Sequence, residues 1–434
     1  MTHRHERTLR VGSLARVEGE GAMHVRIDQH GRVAQARLEI YEPPRFFEAF
    51  LRGRAYTEAP DITARVCGIC PVAYQMSACL AMEDACGVTV GGQLAELRRL
   101  LYCGEWIESH ALHVHLLHAP DFLGYASGID MARDHRREVE RGLEIKKIGN
   151  ALMALVGGRA IHPVNVRVGG FHRVPSRSEL ARFAPELRRA LELALEVVIW
   201  VAGFTFPEAE SKHRLVAVEQ GERYPVDGGT RVLTDAGHGF CVNHFEEYVY
   251  ERHVPHSTAL YAELADGSTY LTGPLARYSL HSAKLSQHAA AAARAAGLGA
   301  ECRNPFQSII VRAVETVYAI EEALRIIEAY EPPERPWVPV PPRAGRGYGV
   351  TEAPRGLLYH RYDIDAEGII TQARMVPPTA QNQAAIEAEL CELVEARRDL
   401  ADAELTDLCE RAIRNHDPCI SCSAHFLDLH VERS

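Results

Sequence analysis

Arg65-Val66-Cys67-Gly68-Ile69-Cys70-Pro71, early in the chain, and Asp417-Pro418-Cys419-Ile420-Ser421-Cys422-Ser423-Ala424-His425, near its end, each carry a C-x-x-C pair. Such a pair brings two thiols close enough to share a metal. Thiolates are soft ligands, so copper(I), zinc, nickel and iron–sulfur clusters are the candidates. A structural zinc knuckle usually keeps its two pairs within tens of residues of each other. Here only folding can join them, which favours a site built into a core. Spacing alone leaves three readings open: a redox metal centre, structural zinc, and unrelated packing or redox cysteines.

The surrounding chain is ordinary globular material. Its 434 residues are 47% hydrophobic and 24% charged, enough to bury a sizeable core and too apolar for a disordered chain. The net charge of −10 argues against general nucleic-acid binding, which wants a basic face. The start, MTHRHERTLRVGSL, has no apolar segment of the signal-peptide kind. The longest apolar stretch, Leu191 to Phe206, is interrupted by Glu192 and Glu196 and is too short to span a bilayer. A chain without a membrane span and in the cytoplasm is expected. Eleven cysteines without a signal peptide read better as thiols than as disulfides. Cys79, Cys86, Cys103, Cys391 and Cys409 lie in helical patterns and read as packing residues.

Hydrophobic periodicity outlines the elements. Met23, Val25 and Ile27 alternate with polar residues, a turn follows at Gln29-His30-Gly31, and Val33 to Ile40 alternates again, which predicts a hairpin within a strand-rich part at 1–60. Helical spacing is expected over Gln93–His118, Glu138–Val156, Ser178–Val201, Ser282–Gly297 and Val311–Tyr330, and in a last helical region over Gln383–Asn415. Glu331 to Arg346, rich in Pro and Gly, reads as a loop, with strands returning at Leu357–Ile364 and Ile369–Met375. The expected fold is mainly α with small β parts (α+β), one domain over 1–434. His110, His113, His115 and His118 share one helix and read as core or hydrogen-bonding residues more readily than as a second metal site.

With their flanks, the two pairs resemble the signature motifs of the large, catalytic subunit of nickel–iron hydrogenases. Further elements resemble the family in order: Arg16-Val17-Glu18-Gly19, Phe47-Glu48-Ala49-Phe50-Leu51-Arg52-Gly53-Arg54, Gly157-Gly158-Arg159 with His162-Pro163 and Gly169-Gly170, and Glu352-Ala353-Pro354-Arg355-Gly356. The resemblance thus covers nearly the whole chain. It implies the large-subunit fold with a central bundle of long helices. Two positions depart from the pattern. Tyr74 stands four residues after Cys70, where the family often has histidine, and Glu20 follows the R-x-E-G element where histidine is frequent. The Cys-Pro-Val-Ala-Tyr form is similar to the cytoplasmic, pyridine-nucleotide-linked branch, which includes sulfhydrogenase alpha subunits.

The resemblance implies a set of roles. Cys67 and Cys419 would be terminal nickel ligands; Cys70 and Cys422 would bridge nickel and an iron that carries carbon monoxide and cyanide. Such a centre cleaves H2 reversibly and heterolytically. Glu18 would carry the proton from the terminal cysteine, Arg355 would reach the cyanide ligands, Asp121 would pair with Arg355, and Asp417 would support the site. Glu48 and His425 would hold magnesium or another divalent cation, completed by a backbone carbonyl near Thr371 to Arg374. The nine residues 426–434 would be an extension removed by a maturation protease after nickel-insertion proteins have loaded the site. No iron–sulfur cysteine pattern remains beyond the four ligands and no glycine-rich dinucleotide fingerprint is present. Electrons would therefore leave through a small iron–sulfur subunit, with flavin and NAD(P) on diaphorase-type partners. The alternatives are a hydrogen-sensing regulatory subunit with the same site, and a non-catalytic scaffold in which the four cysteines hold zinc.

Overall fold

The computed structural model describes residues 6–424. An antiparallel sheet of β1 (Arg7–Val11), β2 (Gly21–Ile27) and β3 (Val33–Ile40), in that order, opens the chain. Met23, Val25 and Ile27 are buried, at the period-two spacing of a sheet covered on one face. What covers them comes from the far end of the sequence: Leu390 and Val394, then Leu405, Leu408 and Ile413, complete the same core. The N-terminal sheet and the last long helical segments are therefore packed together, and this brings the second C-x-x-C pair to the N-terminal sheet.

The long helices follow. They are α1 (Pro71–Cys86), α2 (Gly92–Leu112), α3 (Arg136–Gly157) and α4 (Arg177–Ala202). Helix α2 packs on α3, and a later helix, Ser308–Glu328, packs on both α2 and α4. The start of α4 is set by sequence. Ser176 accepts from Glu179 N, and Glu179 returns a carboxylate to Ser176 N at 2.7 Å. Its buried face, Leu180, Leu187, Ala190, Ala194, Val197 and Val201, has the spacing of an amphipathic helix.

The segment 214–271, to which the sequence pattern assigns nothing, supplies short strands. β4 (Arg214–Glu219), β5 (Arg231–Thr234) and β6 (Gly239–Cys241) form an antiparallel run; β7 (Val249–Val254) and β8 (Ser257–Leu264) form a hairpin; β9 (Tyr270–Leu271) joins β4 in parallel. The expected helix at 282–297 is divided. Helix α5 (Pro274–His281) and a 3-10 turn precede α6 (Gln287–Ala295), which begins only after Ser286. Helix α7 is Ser308–Glu328.

The Pro- and Gly-rich stretch 331–346 is irregular only to residue 344. Strand β10 (Gly345–Ala353) pairs antiparallel with β11 (Gly356–Ile364), and β11 with β12 (Ile370–Val376). The glycines that suggest a loop serve packing instead. A Cβ on Gly347 would lie 1.9 Å from Ala81 O, and one on Gly349 2.2 Å from Ser77 O, so only glycine lets α1 lie against this strand. The closing helical region is two helices, α8 (Pro378–Ala396) and α9 (Asp402–Asn415). The sum is mainly helical with small sheets. No described helix is long and apolar enough to cross a membrane.

Candidate metal centre

Cys67 and Cys70 lie where a 3-10 turn (Ala64–Val66) gives way to α1, with Cys70 as the residue before the helix and Pro71 in its first turn. Glu105 of α2 pins that start by accepting from Val72 N at 2.6 Å and Ala73 N at 3.2 Å. Cys419 precedes a short helix, Ile420–Ser423, and Cys422 lies within it; the turn is entered through Asp417 in the left-handed region at φ 50. A non-glycine residue there is a local strain that the surroundings must hold. They do so by several bonds. Thr379 Oγ1 accepts from Cys419 N at 2.8 Å, and Glu18 O accepts from Ile420 N at 2.9 Å. Arg45 binds both motifs at once, donating to Val66 O at 2.7 Å and to Ser421 O.

The result is a buried knot of four thiols whose sulfurs all lie within 4.8 Å of one another. The first members of the pairs, Cys67 and Cys419, are 3.5 Å apart, and the second members, Cys70 and Cys422, 3.6 Å. Burying four thiols so close has no packing rationale, and together they offer the soft donor set of a thiophilic metal. Hydrogen bonds from Cys419, Cys422 and Cys70 hold the Cys67 thiol well below its ordinary range, while burial pushes Cys419 up. The isolated cysteines behave as packing residues: burial above all raises Cys79 and Cys409 to about 12.

Glu18 meets this knot from the N-terminal segment. Its Oε2 accepts from the Cys419 thiol at 3.1 Å and from Ser421 N at 3.1 Å. Burial, and then the Cys67 charge, lift its carboxyl above the ordinary value. Arg355 sits on the two-residue tip of the β10–β11 hairpin, where Ala353 pairs with Gly356. It is buried and donates from Nε to Asp417 O at 2.9 Å and from Nη2 to Asp417 Oδ1 at 3.2 Å. Burial opposes its charge, but Asp417 and the sulfurs of Cys419, Cys70 and Cys67 outweigh it. Its Nη1 has no hydrogen-bond partner among the described residues, a buried donor left for an acceptor at the thiol knot.

Asp121 is placed differently from expectation. It does not pair with Arg355. Both its oxygens are held by Arg414 (2.8 and 2.9 Å), and Arg16 adds a third bond. These hydrogen bonds outweigh burial and keep its carboxyl below the ordinary value. The reason is positional: Asp121 lies in the first turn of the short helix Ala119–Leu123, beside the end of α9 and the segment before Glu18, so it ties those two pieces together. Asp417 takes Arg355 instead. Glu48, in the short helix Phe47–Leu51, accepts from Met375 N of β12 at 2.7 Å, next to the backbone expected to join it. His425 and the extension 426–434 lie outside the described residues.

Tyr74 fills the position where histidine was the commoner choice. Its ring packs on His360, with centroids 5.5 Å apart. Burial, and then the nearby Cys422, push its phenol well above the ordinary range, so it stays protonated. Glu20, the other departure, is exposed. The four helix histidines are all buried, each with a protein partner. His113 contacts Arg414 O at 2.9 Å and His118 contacts Asn415 Oδ1 at 3.0 Å, which steadies the approach to the second motif. His110 faces Glu315 at 3.0 Å, and His115 contacts Ala111 O. Arg45, Glu105 and Thr379 escape sequence reasoning, since a lone arginine, glutamate or threonine carries no spacing signal.

Comparison with known proteins follows the same lines. The family model described as nickel-dependent hydrogenase matches residues 45–141 and 265–425. The alpha subunit of sulfhydrogenase 1 from Pyrococcus furiosus is 34% identical over 96% of this chain and 98% of its own. The beta subunit of the NAD-reducing hydrogenase of Cupriavidus necator is 26% identical over 97% and 95%. A solved NAD+-reducing [NiFe]-hydrogenase in the H2-reduced state superimposes with a TM-score of 0.87 at 26% identity, covering 96% of this chain and 99% of that one.

Proposed function

Since the chain belongs to the nickel-dependent hydrogenase family, as a large, catalytic subunit of a heteromeric hydrogenase, we propose how its own residues divide the work of cleaving H2. One observation carries the reading: four buried thiols within 4.8 Å of one another, with Glu18 on Cys419 and the buried Arg355–Asp417 pair acting on the same sulfurs. Cys67 and Cys419 would hold the nickel, and Cys70 and Cys422 would hold nickel and iron together. Once bound, the nickel–iron centre supplies the electron-rich site at which H2 is split heterolytically. Glu18 then takes the proton at the Cys419 sulfur, which it touches through Oε2. Arg355 would offer its unpartnered Nη1 to the cyanide ligands of the iron, with Asp417 fixing the guanidinium. Asp121 holds the segments carrying Glu18 and the second motif. Tyr74 keeps a neutral hydroxyl beside Cys422.

Glu48 and His425 hold magnesium or another divalent cation at the C-terminal end. Residues 426–434 are removed on maturation by a protease that follows nickel insertion. Among the described residues the four cysteines form the one group of three or more ligands close enough for a metal, so electrons leave through a small iron–sulfur subunit. The names of the NAD-reducing and sulfhydrogenase relatives support NAD(P) as the distant partner, reached through diaphorase-type subunits in the cytoplasm. Cys419→Ser in the matured complex tests the ligand assignment. It abolishes nickel retention and H2 uptake, whereas Cys391→Ser, away from the knot, keeps both. Full nickel and uptake in C419S would contradict the reading.

A further inference from the structure

Arg277 lies wholly buried in α5, in sequence far from every motif that marks the site. Its guanidinium uses every donor. Nε and Nη2 fork onto Glu315 at 2.9 and 2.8 Å, and Nη1 reaches Glu352 at 3.0 Å. The same Nη1 and Nη2 donate to Ala353 O at 2.8 Å and Pro354 O at 2.9 Å. Those are the two residues immediately before Arg355. The plane sits over Trp106 at 4.5 Å, and Glu315 is in turn met by His110 and by the Tyr224 hydroxyl at 2.7 Å.

The same helix start touches the other side of the tip. A Cβ on Gly273, at φ +110, would lie 2.5 Å from Arg355 O. Thr272 Oγ1 accepts from Leu357 N at 2.8 Å, and Asn382 of α8 grips Thr272 by its N and O at 2.8 and 3.0 Å. A two-residue hairpin tip has few internal bonds to fix its direction. Here its carbonyls on one flank, and its backbone on the other, are set by the first turn of α5.

We propose that the N-terminal turn of α5, through Arg277 and the close approach at Gly273, is a positioning element that fixes the hairpin tip 353–356 and so aims Arg355 at the thiol knot. The inference rests on the role given to Arg355 above. Arg277 acts through that residue and touches none of the four sulfurs by any hydrogen bond. Lysine cannot replace it, because one ammonium cannot fork onto Glu315 and still reach two carbonyls.

A double-mutant cycle on the matured complex tests this, with R277K, R355K and the double variant. Each is read by nickel content, by kcat and KM for H2, and by a crystal structure of R277K. Arg277→Lys lowers kcat about ten- to a hundredfold, as expected for a misplaced charged group, with nickel content and KM unchanged. The crystal structure shows Arg355 displaced from Asp417. The double variant loses no more than R355K alone, because both changes act through one guanidinium. Wild-type kcat in R277K, or losses that multiply in the double variant, would overturn the inference while leaving the role of Arg355 intact. Full kcat in R355K would instead overturn that role and the inference with it. Should R277K not accumulate, Gly273→Ala decides: it presses on Arg355 O without touching the carboxylates, and must lower kcat with nickel retained. Gly273→Ala at wild-type kcat would overturn the inference.

Discussion

At the residue scale, the chemistry rests on contacts a single atom wide. Glu18 Oε2 is 3.1 Å from the Cys419 sulfur, within reach of a direct proton transfer, and the same oxygen is anchored by Ser421 N. Gln keeps the shape and the anchoring bond but cannot take a proton. Glu18→Gln therefore lowers kcat by about a hundredfold or more, the usual range for a lost general base, while nickel content and KM for H2 stay as in the parent. Steady-state H2 uptake with metal analysis checks it; kcat retained within a fewfold would show that the proton leaves by another group. Residues of this kind were legible in sequence where they sat inside a spaced motif, as Cys67, Cys70, Cys419, Cys422, Glu18 and Arg355 do. Asp121 shows where that legibility ends. Its neighbours named it, but its partners depend on how the ends of α2 and α9 meet, and no local pattern encodes that.

At the scale of elements, the junction after α2 does much of the positioning. The expected helix to His118 is present, but its last turn, His113–His118, is a π-turn, which is common at functional places. It sets His113 and His118 against α9 and turns His115 the other way. There His115 stacks on Trp200 of α4, 5.5 Å between centroids, and lies against Gly142 of α3, where any Cβ would come within 2.3 Å of the imidazole. Burial, with Arg141 nearby, lowers its pKa from 6.5 to about 4. The unfolded chain binds this proton first, so the stabilising contribution is complete above about pH 6.5 and is lost as pH falls toward 4. The loss is about 3 kcal/mol at most. His115→Phe keeps a ring on Trp200 and removes the titration. Thermal unfolding of the matured complex between pH 7.5 and 4.5 then falls less steeply for the variant; equal slopes would contradict the burial argument. Periodicity had found the helices because each buries one long face. It missed β4 to β9 because strands of two to eight residues leave too few alternations, and it missed β10 because its glycines pack on α1.

At the scale of the whole molecule, the fold is a device for bringing two motifs hundreds of residues apart to one point. The N-terminal sheet and the helices α8 and α9 share a core, Arg45 spans both motifs, and Glu18 pairs its backbone with Cys419 in a parallel bridge. The sequence showed the two pairs and their likeness to a family; that they meet is a property of the packing between residues hundreds of positions apart. The proposed maturation has a simple signature at this scale. Intact-mass measurement of the active subunit finds a chain ending at His425, and a species still carrying Ser434 in active enzyme would contradict removal of the extension.

The central claim is that the four thiols hold nickel and iron, with diatomic ligands on the iron. Metal analysis combined with infrared spectroscopy, on protein made in a host with hydrogenase maturation factors, tests it most directly. Nickel and iron are expected in equal amounts, with sharp bands from metal-bound carbon monoxide and cyanide. Zinc alone, without those bands in protein whose C-terminal extension has been removed, would contradict it and make the knot a structural site.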